Sequence, residues 1–320
     1  MSVWNRPRRV VGLGVVISIL FTVCPDRSIA DTSASRVSDN GSLLERFLAF
    51  DSAFLRAANA EAVAQEIARY RERLVHCASS DLTLGERETC VLDALFAADG
   101  LDGLDGSSSP LESSVTWTLI NGSGSCAALV ATVLAFSEDV GSAFNALILR
   151  DHVLLVSARS PHRRFELLEK GRLLSEPEFL NHQPFPPGGP EEVGPEAFVA
   201  YYLDNLAARF AEAGEPEKAE RVFKRALDIA PKSGRVHYNL GTFLLQSERY
   251  VEAEGELSRA IRLGWKDATA YVNRGAARWR LGRARAARRD FRKALELDPN
   301  NREAAVNLRH LSVHPASLPE

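Results

Sequence analysis

Tyr238-Asn239-Leu240-Gly241, followed by Ala253, Leu257 and Ala260, is one unit of a pattern that returns every 34 residues in the second half of the chain. Leu206-Ala207 and Arg274-Gly275 stand one step to either side of Leu240-Gly241. Ala219 and Ala287 flank Ala253 at the same interval, Phe223 and Phe291 flank Leu257, and Ala226 and Ala294 flank Ala260. Pro231 and Pro299 close the first and third units, with Trp265 where the second would carry its proline. Small residues at fixed steps between apolar ones predict pairs of helices in close contact. A single pair cannot bury its apolar face, so consecutive units must stack to make a core.

That period, with its small contact residues and closing proline, resembles the tetratricopeptide repeat. The resemblance implies an all-α tetratricopeptide-repeat solenoid over 196–313, made of three repeats and a capping helix at 302–311. Asn205, Asn239, Asn273 and Asn307 recur at the same step. Such a ladder is expected to face the concave groove, with amides spaced to bond the backbone of an extended peptide and with Tyr238 and Trp279 adding apolar contact. Capping or bridging neighbouring helices is the alternative use of the same amides. The expected partner is a peptide or protein held in this groove. The third unit carries Arg274, Arg278, Arg280, Arg283, Arg285, Arg288, Arg289, Arg292 and Lys293 against the single acid Asp290. A solvated helix face is one reading of that run; docking to an acidic partner, an anionic polymer or lipid headgroups is the other. Arg274 and Arg278 stand where apolar residues are expected, which predicts partial fraying of the unit.

The full chain has 320 residues, 45% hydrophobic and 25% charged, which fits a globular protein of about two domains. A net charge of -3 argues against a nucleic-acid partner. Arg6, Arg8 and Arg9 precede an uncharged run at 10–24, and Ser28-Ile29-Ala30 offers a cleavage site, so 1–30 reads as a signal peptide and 31–41 as a mobile leader. The run is shorter than the roughly 17–25 residues of a membrane span, so none is expected after cleavage. The protein is then exported, periplasmic or extracellular, with an uncleaved N-terminal anchor as the alternative. Cys24 leaves with the signal. In an oxidising compartment Cys77 and Cys90 can close a short disulfide loop, which leaves Cys126 as the odd thiol.

Between leader and repeats, 42–180 reads as an α+β domain. Apolar residues recur at helical spacing through Leu43, Leu44, Phe47, Leu48, then Val63, Ile67, Tyr70, Leu74, then Val91, Leu92, Leu95 and Phe96. Short apolar runs at 143–149, 152–157 and 164–168 predict a small antiparallel sheet. The loop at 100–110 lacks the ligand spacing of a calcium-binding loop, and no metal is expected. The five prolines at 181–195 predict an extended linker without regular structure.

The chemistry is expected at Asn121-Gly122-Ser123-Gly124-Ser125-Cys126-Ala127-Ala128-Leu129-Val130, where a Gly/Ser turn runs into an apolar helix. A thiol at a helix N-terminus meets unpaired N–H groups and the positive dipole end, which favour a thiolate; a small buried thiol that only packs is the alternative. A nucleophilic cysteine needs a base and a group to orient that base. His152 opens a predicted strand and Glu166 lies on the next, while His162 is a competing base in a loop. The Cys126 N–H would hold an oxyanion, with Asn121 or Trp117 as a second donor. Gly124-Ser125-Cys126, Asp151-His152-Val153 and the stretch from Phe165-Glu166-Leu167 to Leu173-Leu174-Ser175 resemble the transglutaminase-like superfamily of papain-type cysteine folds. The resemblance implies Cys126 as nucleophile, His152 as base and Glu166 as orienting acid, with no cofactor. Glu166 stands where the family usually has Asp, and Ala127 where many active members carry a bulky residue. The expected fold is therefore an α+β transglutaminase-like domain followed by the repeat solenoid. Two functions follow: an exported cysteine-dependent amide hydrolase or acyl-transferase acting on a peptide or protein, or a catalytically inert repeat scaffold for envelope protein assembly.

Overall fold

The computed structural model describes residues 41–55, 59–103, 109–150, 152–181, 185–186 and 188–313. The signal segment expected over 1–30, and all but Gly41 of the leader expected over 31–41, lie outside these residues. No helix among the described residues is long and apolar enough to cross a membrane.

Five helices come first: α1 (Leu43–Phe54), α2 (Ala60–Leu74), α3 (Leu84–Leu95), α4 (Val115–Asn121) and α5 (Cys126–Asp139). Capping boxes start α1 and α3, because Ser42 and Thr83 accept the N–H groups of Glu45 and Glu86 while those glutamates accept the Ser42 and Thr83 N–H groups in return. A disulfide joins Cys77, in a 3-10 turn after α2, to Cys90 in α3, with the two Cα atoms 5.6 Å apart. Helix α5 is apolar all round and residues 127–137 are buried, so the other elements wrap around it.

Two short strands, β1 (Asp102–Gly103) and β2 (Ser123–Gly124), pair in parallel just before α5. After it come β3 (Phe144–Ile148), β4 (Val153–Ser157), β5 (Ser160–Glu166), β6 (Arg172–Leu174), the short helix α6 (Glu176–Leu180) and β7 (Glu191–Val193). The five later strands form an antiparallel sheet in the order β6-β5-β4-β3-β7. Alternation along β4 sends Val153 and Leu155 into the core around α5, and Leu154 and Val156 into a second cluster with Leu147, Leu149, Leu174 and Phe179. Phe185 stacks on Phe179 at 5.4 Å and covers that second face.

Two expectations are corrected here. The strand expected at 164–168 ends at Glu166, where the Glu166 side chain accepts the Leu168 N–H and bends the chain into a 3-10 turn. The stretch 181–195 does hold a regular element: between Pro190 and Pro195, Glu191–Val193 retain their N–H groups and add β7 to the β3 edge.

From Pro195 the chain is helical: α7 (Pro195–Glu212), α8 (Pro216–Ile229), α9 (Gly234–Gln246), α10 (Tyr250–Arg262), α11 (Ala268–Arg280), α12 (Ala284–Leu297) and α13 (Arg302–Val313). The small residues lie where the helices of each pair touch. Ala219, Ala253 and Ala287, and Ala226, Ala260 and Ala294, are all at 0% exposure. A Cβ on Gly241 would come within 2.7 Å of Leu257 Cγ, and one on Gly275 within 2.7 Å of Phe291 Cε1. Larger residues there would force the paired helices apart. Helix α7 belongs to both halves: Phe198, Tyr202 and Leu206 sit in one apolar core with Phe47, Phe50 and α5, and Tyr202 packs edge-on to Phe47 at 4.8 Å. A separate cluster of Val272, Ala287, Phe291, Ala294, Ala304 and Leu311 holds the far end of the array.

The third unit is not frayed, contrary to the expectation from Arg274 and Arg278. Arg274 holds buried Asp290 through two bonds of 3.0 and 2.7 Å, and Arg278 bonds both Asp290 and Glu254 at 2.8 Å. Each guanidinium replaces an apolar contact by a paired charge.

Candidate functional site

Cys126 is the first residue of α5 and is partly exposed. Ser125 caps the helix by accepting the Ala128 N–H. The turn before it is set by close approach: a Cβ on Gly124 would fall 2.2 Å from Thr118 Oγ1 on α4. Gly122 has φ +68°, the left-handed conformation that glycine adopts freely, and its carbonyl accepts the Asp102 N–H at 2.6 Å. Sequence, turn and strand pair together fix where the thiol stands.

His152 is the last residue of the β3–β4 turn, closed by the Leu149 N–H donating to the His152 carbonyl at 2.9 Å. Its Nε2 lies 2.8 Å from Glu166 Oε2, and the imidazole is also hydrogen-bonded to the Cys126 side chain. Glu166 is 5% exposed, and its Oε1 accepts the Leu168 N–H at 3.0 Å, so the carboxylate is locked from both ends. Burial of His152 disfavours its charged form, but the bonds and charges of Cys126 and Glu166 outweigh it and raise the imidazole from 6.5 to about 10. Three residues far apart in sequence are thus joined in the order thiol, imidazole, carboxylate.

The other candidates fall elsewhere. His162 is exposed on β5. Asn121 is exposed and gives its amide N–H to Trp117 O on its own helix. Trp117 differs: its indole Nε1 is buried and has no hydrogen-bond partner among the described residues. An apolar cavity of about 350 Å³ between α1 and α2, lined by Leu48, Leu55, Val63, Ile67 and Leu111, includes none of Cys126, His152 and Glu166.

The asparagine ladder needs correction. Asn239 Nδ2 donates to Asp204 Oδ2 on α7 at 2.7 Å, and Asn273 Nδ2 donates to Thr242 Oγ1 on α9 at 3.0 Å. Both amides bridge neighbouring helices, because each lies within reach of a polar side chain on the preceding unit. Asn205 is half-buried on α7. Tyr238 stacks on Trp265 at 5.5 Å and Trp279 on His310 at 6.3 Å, so these rings also serve contacts within the array. Sequence reasoning missed Asp204, Arg235 and Asp267. An acid beside Asn205 in the otherwise apolar run 198–206 was the available signal. Of the arginines, Arg283 pairs with Glu254 and Arg280 donates to Tyr250 Oη. Arg285, Arg289 and Arg292 are exposed on α12 with no acidic partner among the described residues.

Comparison with known proteins agrees with the helix pairs. Residues 210–271 and 268–301 match family models of the tetratricopeptide repeat, and this part of the chain is a repeat array of that kind. The chain is similar to RNA polymerase II-associated protein 3 of Xenopus tropicalis, 33% identical over 103 residues, which is 32% of this chain and 16% of that protein. It is also similar to serine/threonine-protein phosphatase 5 of Rattus norvegicus, 29% identical over 110 residues, 34% of this chain and 22% of that protein. The chain thus spans less than a quarter of the length of these curated relatives. Among solved structures, the first repeat domain of Spaghetti (RPAP3) bound to an HSP90 peptide aligns with 37% of this chain and 94% of its own, at 29% identity and a TM-score of 0.36.

Proposed function

We propose that the chain is a cysteine-dependent amide hydrolase or acyl-transferase with a transglutaminase-like core, acting on a peptide or protein in an exported setting. The observation that carries this reading is the hydrogen-bonded series Cys126, His152, Glu166, with Glu166 buried behind the imidazole. An imidazole held in its charged form beside a thiol is the ion-pair partner a thiolate nucleophile requires. Cys126 Sγ attacks the amide carbonyl and forms a C–S bond. His152 then gives a proton to the departing nitrogen as the C–N bond breaks. Water or an amine attacks the thioester, its proton passing to His152, and the C–S bond breaks to free the thiolate beside the recharged imidazolium. Glu166 keeps the ring aligned throughout. The oxyanion would be met by the Cys126 N–H, and Trp117 Nε1, buried on the helix that leads into the Cys126 turn, is the best candidate for a second donor. The Cys77–Cys90 disulfide supports an oxidising compartment.

In the same reading the repeats bind a protein partner, as stacked helix pairs present an extended concave surface. The exposed Arg285, Arg289 and Arg292 favour an acidic one. An inert scaffold is the second reading, favoured by Ala127 and by Glu166 in place of Asp. Alkylation followed by peptide mapping separates the two. Cys126 is expected to react at about pH 6 at least tenfold faster than free cysteine, and to lose that advantage in His152→Ala. A thiol no faster than free cysteine and indifferent to His152 would leave only the scaffold.

A further inference from the structure

The β3–β4 turn is where the sheet meets the repeats. Arg235, on the first turn of α9, donates from Nη1 to Leu149 O at 3.2 Å and from Nη2 to Arg150 O at 3.1 Å. Arg150 Nη1 pairs in turn with Asp267 Oδ2 at 3.3 Å, and Asp267 is the N-cap of α11, its Oδ1 accepting the Ala270 N–H at 2.8 Å. Arg235 is itself braced. Its Nε lies 3.4 Å from Asp204 Oδ2 on α7, the same oxygen that receives the Asn239 amide, and its guanidinium lies over the Tyr201 ring at 4.9 Å and the Trp265 ring at 5.9 Å. Side chains from the second and third repeats therefore meet one turn, with Asp204 and Tyr201 of the first repeat behind Arg235, and that turn ends in His152.

Stacked helix pairs present an extended concave surface whose side chains can bind a segment of chain. Here the carbonyls they take are the chain's own. A planar guanidinium with two parallel donors fixes the direction of those carbonyls as well as their position. The next residue with described side-chain bonds is His152, whose ring is fixed at Nε2 by Glu166. We propose that the repeat groove takes the β3–β4 turn as an internal ligand and so aligns His152 with Cys126, with Arg235 and Asp267 as positioning residues. This rests on the reading of Cys126, His152 and Glu166 as an acyl-transfer set. It also gives the Asn239 amide a role, which is to hold Asp204 against Arg235.

The test uses the full chain and two readouts. Amide hydrogen exchange at 149–156 reports the grip on the turn whatever the chemistry, and Arg235→Ala is expected to speed it about tenfold. The pH profile of Cys126 alkylation between about pH 5 and 9 reports the alignment of His152; Arg235→Ala is expected to lower its His152-dependent part about tenfold, and Arg235→Lys, able to bond one carbonyl, to restore part of it. Arg150→Ala removes only the Asp267 pair and is expected to shift both readouts in the same direction, which serves if Arg235→Ala does not fold. A wild-type pH profile in Arg235→Ala and Arg150→Ala would overturn the positioning role while leaving the thiol chemistry standing. A wild-type profile that His152→Ala does not alter would overturn the acyl-transfer reading and the alignment with it. Unchanged exchange at 149–156 would overturn the groove's hold on the turn.

Discussion

His152 carries a measurable signature in stability as well as in reactivity. Its folded value, raised to about 10 against 6.5, means that the native state holds its proton more tightly than the unfolded chain does. The stabilisation this brings is fully present below about pH 6.5 and is lost as pH rises through 10. The difference in unfolding free energy between wild type and His152→Ala is therefore expected to be largest at acidic pH and to shrink steadily between these limits. Urea titrations at several pH values measure it, and a difference constant across the window would refute the bond series. The residues of this series were legible because each sits where a pattern breaks: a Gly/Ser turn, a strand start, a strand end. Arg235 was not. The partners that tie it to the turn are main-chain carbonyls 86 and 85 residues away, and a carbonyl leaves no mark in a sequence. Of the two uses the sequence leaves open for Asn239, a peptide backbone or a bridge between helices, the fold shows the bridge to Asp204; the spacing is the same for both.

At the scale of elements, the 34-residue period was fully legible, and the turns inside each unit carry it further than the helix contacts do. Gly214, Glu248 and Gly282 stand at equivalent positions with φ +75°, +59° and +75°. Two of the three are glycine, and the middle unit holds an exposed glutamate in a conformation that costs an L-residue about 1 kcal/mol. Glu248→Gly is expected to stabilise the protein by about 0.5–1 kcal/mol, read as a higher denaturation midpoint with an unchanged slope. A lower midpoint would show that the Glu248 side chain contributes more than its backbone loses. Elements outside the period were harder to see. Strand β7 is three residues between prolines, and only the free edge of β3 gives it a reason to be extended. Arg274 and Arg278 broke the apolar pattern, and nothing short of the fold shows that Asp290 lies within reach of both.

Across the whole molecule, the apolar core crosses the boundary that composition suggests. Asp51 on α1 accepts from Tyr202 Oη on α7 and from the Thr116 N–H on α4, while the Val115 N–H donates to the same tyrosine. Helices from both halves share this buried node. Burial raises Asp51 to about 6, against the hydrogen bonds from Tyr202 and Thr116 that lower it, so opening the node at neutral pH releases a carboxylate to water. Unfolding is expected to be one cooperative event through α10, so that single-tryptophan variants reporting from Trp117 and from Trp265 give the same midpoint in denaturant. Two separated midpoints would show independent domains.

The sharing of α7 also sets the direction in which such a chain can change length. Its near end is built into the core beside Phe47 and Phe50, whereas the far end rests on its own small cluster around Phe291. Helix pairs can be gained beyond α12 by exchanging one end cap for another, whereas α11 stays because its N-cap Asp267 pairs with Arg150. None can be inserted ahead of α7 without rebuilding the core that also holds α5 and Cys126, so the array has one end open to change and one end fixed.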